Sequence, residues 1–433
     1  MSNRKSMFID LALTHHIFKG VFLLCLFFLI LIGAWIYLFV KSIRSYFLTP
    51  SIYAKKYVVS ESISTSESSY PFISIIVPAR NEQNNIERCL RSLLSQSYPN
   101  FEVIVIDDNS TDNTLRIIKK IRNEIRIGPL KDRFEVITLS EKPKGWGGKT
   151  WACERGYLRS RGEILLFTDA DTYYNNKNIL SLAVFYMKKE CIDVLTGNPH
   201  TELPDFWSKV SMPLWNHFTI ILGADTAAVN NPRSNMAYLV GSFFMIYRSV
   251  LEKVEGFSGI RNAIHEDVAL GMHIKRAGYN IKIVKLGVLV SALWSRDLPT
   301  LWHGIGRTLA PMSKFLMIIN FLVIFFMALI PFVLLPYTLS IARAEHSFNL
   351  MLLILNVACC LIIIVGTACK NIKKYKISPI YSTLILIGAV LIIAAYIVNM
   401  TSLLRPSKAK LLSWRGRNLV YKRKKEHLHK SSS

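Results

Sequence analysis

Residues 73–112 read ISIIVPARNEQNNIERCLRSLLSQSYPNFEVIVIDDNSTD, and the order of patterns within them decides the fold class. Residues 73–77 are a short β-branched run bounded by Pro71 and Pro78. Residues 101–106 form a second run, ending at Asp107-Asp108. Between the two, residues 84–95 place Ile86, Leu90 and Leu93/Leu94 at helical spacing. The alternation continues outward. Residues 112–121 carry Leu115, Ile118 and Ile121 on one helical face, residues 134–139 make a third strand, and residues 163–168 (EILLFT) make a fourth. Strands alternating with short helices predict an α/β domain with a mostly parallel sheet covered on both faces. The near-continuous apolar character of the strands suits that burial.

In such sheets ligands bind at the carboxyl ends of the strands. Those ends are polar and acidic. The first strand is followed by Pro78-Ala-Arg-Asn-Glu82, the second by Asp107-Asp-Asn-Ser-Thr-Asp112, and the fourth by Asp169-Ala-Asp171. Some of this has a plain structural use. Asp112 is placed to cap a helix, Glu82 suits a helix first turn, and Asp107-Asp108 is compatible with ordinary turn chemistry. Asp169-x-Asp171 is harder to explain that way. Carboxylates at i and i+2 in extended chain point to one side and repel. Mg²⁺ or Mn²⁺ resolves the repulsion, taking a few carboxylates together with substrate phosphate oxygens.

Taken in order, PARNE at 78–82, DDNSTD at 107–112, DAD at 169–171 and HED at 265–267 resemble the signatures of family 2 glycosyltransferases. The resemblance spans about residues 70–310. GWGGK at 145–149 followed by Ala152 is similar to a segment of membrane-bound members related to carotenoid and hopanoid glycosyltransferases. The resemblance implies a GT-A-like fold and a nucleotide-diphosphate sugar donor, with a UDP-sugar preferred. It also implies roles for residues. Pro78, Ala79, Arg80 and Glu82 would surround the nucleobase and ribose. Asp108, with Asp107 beside it, would contact the uridine. Asp169 and Asp171 would hold nucleotide and metal, and Lys149 would lie near the sugar or diphosphate. Gly241-Ser242 resembles the small-residue turn under the donor sugar. Processive polysaccharide synthases carry a QxxRW motif; the comparable place reads LWHGIGR at 301–307, with Trp302 and Arg307 present but no Gln. Arg307 is thus a candidate diphosphate contact, and a processive synthase using the same donor site stands as the alternative reading.

Glycosyl transfer also needs a base for the acceptor hydroxyl. Asp267 is the candidate, with Glu266 beside it, because adjacent carboxylates raise each other's pKa. The alternative use of the pair is to place negative charge at a helix N-terminus. His265 is a conceivable metal ligand, although a supporting or surface role is plainer for it and for His273. One base and no covalent nucleophile imply a single inverting displacement.

The chain has 433 residues, 51% of them hydrophobic, and a formal net charge of +24. The apolar fraction excludes disorder as the main state. The charge suits anionic lipid or phosphorylated substrates; nucleic acid is not an expected partner. None of the seven cysteines forms a CxxC pair, so a zinc ribbon or disulfide framework is not expected. Residues 21–40 form an unbroken apolar run closed by Lys41, Arg44, Lys55 and Lys56. That length spans a bilayer, and the basic flank places the following domain in the cytoplasm. Three more apolar stretches lie near 315–340, 349–369 and 378–400; the last two hold no charged residue, which argues against a channel or transporter.

The expected organisation is an N-terminal anchor (1–45), a Ser-rich linker (46–70), a GT-A-like domain (71–310), hydrophobic segments (311–402) and a basic tail (403–433). The protein is expected to be a multi-pass membrane protein that acts on a lipid or lipid-linked acceptor. Residues 205–222 carry Phe206, Trp207, Trp215 and Phe218, which are candidates for the bilayer interface or for a buried helix. Residues 405–430 carry ten Lys/Arg and one Glu. With Trp414, Arg415 and Arg417, this tail is expected on the cytosolic side, gripping a lipid phosphate or covering the donor site. That requires an even number of crossings after the domain, so the stretch at 315–340, interrupted by Pro331 and Pro336, is expected not to be a simple span.

Overall fold

The computed structural model describes residues 2–52, 70–219, 225–263, 265–310, 312–343, 347–404, 410–414 and 417–421. The chain divides into two compact units. One comprises Met1–Ile43, Leu203–Leu222 and Ser295–Ser433; the other comprises Arg44–Glu202 and Gly223–Trp294. The Ser-rich stretch at 59–69 lies outside the described residues.

The second unit is built on one eight-stranded sheet. Its strands are β1 (Ile73–Ala79), β2 (Phe101–Asp108), β3 (Phe134–Leu139), β4 (Ile164–Phe167), β5 (Thr172–Tyr174), β6 (Val194–Glu202), β7 (Phe244–Tyr247) and β8 (Ile281–Leu293). Their spatial order is β3-β2-β1-β4-β7-β6-β8-β5. The four strands expected from the sequence are parallel neighbours. The other four enlarge the sheet. β7 is antiparallel to β4 and β6, β5 is antiparallel to β8, and β6 runs parallel to β8. The α/β, GT-A-like expectation therefore holds, with antiparallel members at one side.

Local chemistry explains the framework. Helix Ile86–Leu94 buries Ile86, Cys89, Leu90 and Leu93, one stripe at helical spacing. Pro78 tolerates a central strand because β4 pairs with β1 only as far as Ile76, so no ladder donor is needed on that side at Pro78. Gly156 lets helix Gly148–Arg159 settle onto β1 and β2. A Cβ there would stand 2.5 Å from Ile76 Cγ2 and 2.7 Å from Ile106 Cδ1. That close seat fixes the start of the helix, where Lys149 lies.

Among the described residues four helices are long and apolar enough to cross a membrane: Phe18–Leu48, Lys314–Ile341, Ser347–Tyr375 and Pro379–Thr401. Lys314–Ile341 stays helical through both prolines, passing through a π turn at Phe325–Leu329. Pro331 has no N–H for the carbonyl of Met327, and Trp35 Nε1 donates to that carbonyl instead at 3.0 Å. The interruption expected at 315–340 is thus a local adjustment within one long helix. Helix Phe206–Thr219 is divided in character. Trp215 and Phe218 are buried, whereas Phe206 and Trp207 are 41% and 36% exposed. Only the last two present themselves to the surroundings of the first unit. The tail forms an antiparallel hairpin of β9 (Lys410–Trp414) and β10 (Arg417–Tyr421), and Arg415 lies outside the described residues.

Candidate active site

The loops after β1 and β2 are sewn to one another. Arg80 donates to the carbonyls of Asp108 and, at 2.8 Å, of Asn109. Asn81 accepts from the Thr111 N–H at 2.8 Å, and its own N–H donates to Ser110 Oγ at 3.1 Å. The Glu82 N–H donates to Thr114 Oγ1 at 2.7 Å, and the Gln83 N–H to Asp112 Oδ2 at 3.2 Å. Asp112 also accepts from the Thr114 N–H at 2.9 Å, but the N-cap of helix Thr114–Glu124 is Asn113, without a side-chain cap bond, so the capping expected of Asp112 falls one residue outside that position. Asn81 and Asn109 both take left-handed backbone, φ 52° and 53°, which Asn tolerates better than other side chains with a Cβ. Glu82 is buried and accepts from Asn85 Nδ2 at 2.8 Å. Much of the polarity of PARNE and DDNSTD therefore holds two strand ends in register, Ala79 opposite Asp107. Asp107 accepts from the Ser110 N–H at 3.3 Å through Oδ2, while its buried Oδ1 has no hydrogen-bond partner.

Beside this loop pair four charged groups converge. Lys149 Nζ lies 2.6 Å from Asp169 Oδ1 and 2.6 Å from Glu266 Oε1. Gly241 closes the cluster. A Cβ added there would stand 3.0 Å from Lys149 Nζ, 3.2 Å from Asp169 Oδ2 and 3.6 Å from Asp267 Oδ2. Pro78, Phe167, Thr168 and Phe244 line the same crevice. The absence of a side chain at Gly241 is what keeps the crevice open.

The electrostatics distinguish the members. Burial works against the Lys149 charge, but Asp169, Glu266 and Asp267 overcome it and hold its pKa well above the ordinary lysine value. Burial, then the neighbouring Glu266, push Asp267 up to about 6, with Lys149 pulling the other way. Asp267 stands in the first turn of helix Glu266–Arg276, where its Oδ1 accepts from the Val268 N–H at 2.8 Å. Its carbonyl accepts from the Leu239 N–H at 3.1 Å, tying it to the segment that carries Gly241.

The structure thus brings together Pro78, Lys149, Asp169, Gly241, Glu266 and Asp267. Ala79 lies buried at the β1 end, and Ser242 is buried with its carbonyl accepting from Thr168 Oγ1 at 2.8 Å. Asp171 follows Asp169 by two residues, and its carbonyl accepts from the Leu293 N–H at 3.1 Å, joining this loop to β8. Arg307 belongs to the first unit, on helix Leu298–Leu309. His265 occupies the N-cap position of helix Glu266–Arg276. Among the described residues no group of three or more His, Cys, Asp or Glu side chains stands ready for a metal ion.

Two supporting residues escaped the sequence reading. Thr196 Oγ1 donates to the Phe243 carbonyl at 3.0 Å and accepts from the Val240 N–H at 2.8 Å, clamping the turn around Gly241. Thr168 holds the same turn from β4. A lone Thr in an apolar run carries no sequence signal for such a role.

Residues 74–255 match the family model described as Glycosyl transferase family 2. A "4,4'-diaponeurosporenoate glycosyltransferase" of Staphylococcus haemolyticus is 24% identical over 226 residues, 52% of this chain and 57% of that protein. A "Beta-monoglucosyldiacylglycerol synthase" of Nostoc sp. is 29% identical over 157 residues, 34% of this chain and 32% of that protein. The chain spans just over half the length of the first relative and about a third of the second. A mannosyltransferase from Pyrobaculum calidifontis, solved in complex with GDP-Man and Mn²⁺, is 18% identical and covers 87% of this chain and 99% of its own, with a TM-score of 0.48. That likeness is too loose to transfer a residue or a ligand.

Proposed function

We propose that this chain, whose residues 74–255 match the family 2 glycosyltransferase model, moves a sugar from a nucleotide-diphosphate donor, a UDP-sugar by preference, to a lipid or lipid-linked acceptor at the cytosolic face of a membrane. The observation that supports this reading best is the meeting of Lys149, Asp169, Glu266 and Asp267 around Gly241 at the carboxyl end of the sheet. The membrane part of the reading draws on the four apolar helices and on the names of the two relatives, both of which act on apolar acceptors by those names.

The reaction follows from what each group can do. The acceptor hydroxyl oxygen attacks the anomeric carbon of the sugar and forms the new glycosidic bond. The bond from that carbon to the diphosphate oxygen breaks, and its electron pair leaves with the nucleoside diphosphate. Asp267, held up to about 6, takes the hydroxyl proton. Lys149 sets a fixed positive charge beside Asp169, where the diphosphate would arrive. Glu266 pairs with Lys149 and orients it, which leaves Asp267 as the carboxylate available to the acceptor. A divalent cation held by Asp169 and Asp171 would supply further charge neutralisation on the leaving diphosphate. With one base and direct attack, the anomeric configuration inverts. Asp107 would offer its unpaired Oδ1 to the nucleobase at the β2 end.

Calorimetry of UDP-sugar binding with and without EDTA tests the donor site. Asp171→Ala or EDTA is expected to weaken binding at least about tenfold, the loss of about one charge-assisted contact. Undiminished affinity in Asp171→Ala protein with chelator present would exclude the metal part of the reading.

A further inference from the structure

The first unit holds a second polar cluster that sugar transfer does not use. Helix Ser347–Lys370 runs on through a π turn, Asn371–Tyr375, and ends where Lys376 takes left-handed backbone, φ 56°. Lys370 at the end of the helix and Lys374 in the turn reach helix Phe206–Thr219. Lys370 Nζ lies 2.9 Å from His217 Nδ1, and Lys374 Nζ donates to Asn216 Oδ1 at 2.9 Å. An ammonium group has no lone pair, so Lys370 donates and Nδ1 accepts. The neutral ring then carries its proton on Nε2.

That N–H has nowhere to go. His217 is 1% exposed and its Nε2 has no hydrogen-bond partner. Asn371 is fully buried, and neither its Oδ1 nor its Nδ2 has a partner. Among the described residues no carboxylate pairs with Lys370 or Lys374, although both surface and crevice cations of the other unit find one. The cluster therefore holds two lysines with no carboxylate beside them, a buried imidazole N–H and a buried amide, both of them unpartnered. Each orphaned buried donor costs about 1–3 kcal/mol. An oxyanion accepting from the Asn371 amide and from the two ammonium groups removes the cost of the amide and neutralises the charge, with His217 positioning Lys370.

The surroundings select the source of that anion. Ser347–Tyr375 is apolar enough to cross a membrane. On it and next to it Leu361, Val365, Ile372 and Ile380 are more than half exposed. An anion reaching the end of such a helix beside exposed aliphatic side chains is best carried by a molecule with acyl or isoprenoid chains. We propose that Asn216, His217, Lys370, Asn371 and Lys374 form a binding site for the phosphate group of an anionic membrane lipid. The site stands apart from the sugar-transfer reading, and a lipid held there need not be the acceptor.

The test uses the full chain released from nanodiscs and native mass spectrometry, with phosphatidylglycerol and phosphatidylcholine of identical acyl chains as probes. The expected result is at least a tenfold preference for retained phosphatidylglycerol. Lys370→Met should abolish the preference, Lys374→Met should reduce it, and Lys370→Arg should keep most of it. Lys373 is exposed like Lys374 on the same turn but, unlike Lys370 and Lys374, makes no hydrogen bond to helix Phe206–Thr219, so Lys373→Met serves as the control and should change nothing. Equal retention of the two lipids by the parent chain would overturn the proposal. So would an equal loss in Lys373→Met, which would mean diffuse surface attraction and not a built site. Micromolar inorganic phosphate erasing the preference would assign the cluster to free phosphate and overturn the lipid as its source. A melting curve for each variant separates loss of binding from loss of fold.

Discussion

The loops after β1 and β2 and the crevice around Gly241 are built from the same residue types, yet they spend them differently. In the loops, Arg80, Asn81, Gln83 and Asp112 satisfy backbone groups of the opposite loop. Their polarity is consumed in holding two strand ends together. In the crevice, Lys149 faces Asp169, Glu266 and Asp267, and Gly241 contributes nothing but room. There the polarity is concentrated at one point. The difference teaches that motif residues divide into those that make the site's floor and those that meet the reactants. Being in a motif does not say which.

The sharpest way to break that division is at Asp267. If it takes the proton, Asp267→Asn should lower turnover by about 10²–10⁴-fold, the usual worth of acid–base catalysis, while donor affinity stays within about threefold. Steady-state kinetics together with UDP-sugar calorimetry read both quantities. A parallel loss of donor binding would move Asp267 from the reacting group to the floor.

Lys149 comes next. Lys149→Met leaves three carboxylates facing one another in a partly buried crevice, and stability should fall by roughly 1–3 kcal/mol after allowance for solvent access. The pH profile gives an independent reading. Lys149 lowers the Asp267 pKa from what burial and Glu266 would impose. Without it the base protonates at higher pH, so the acid limb of kcat/KM, expected near 6, should move upward. Glu266→Gln removes a neighbour that raises the Asp267 pKa, and the same limb should move downward. Limbs that stay fixed in both variants would show that another group governs the profile.

How far the sequence revealed this architecture follows from the same physics. The parallel half was legible because β1 to β4 are continuous apolar runs separated by helical stripes such as Ile86, Leu90 and Leu93. The antiparallel half was not. β5 and β7 are only three and four residues long, too short to show a period. β6 shifts register against β8 around Pro199, which erases its alternation. The charged members of the crevice were legible because a carboxylate after a strand or a lysine at a helix start has few structural uses. Thr196 and the donors around His217 were silent, because a buried hydroxyl or imidazole reads as ordinary core until its partners are known. Trp215 and Phe218 illustrate the converse. Their aromatic character suits an interface, but both are buried while Phe206 and Trp207 stay outside.

The smallest expected effect separates the two uses of polarity most cleanly. Asn81 has φ 52° and accepts the Thr111 N–H. Asn81→Ala loses that bond and places a Cβ residue without local hydrogen bonding in left-handed backbone, at a cost of about 2 kcal/mol. Asn81→Gly loses the bond but relieves the backbone, so its cost should be about 1 kcal/mol. Chemical denaturation of the two variants gives the order, with turnover measured at a temperature where both are folded. If Asn81 belongs to the floor, stability falls in the order Gly then Ala and kcat changes by less than about threefold. A large loss of kcat with stability intact would place Asn81 among the groups that meet the donor, and the line between loop and crevice would have to be redrawn through the first of the two loops.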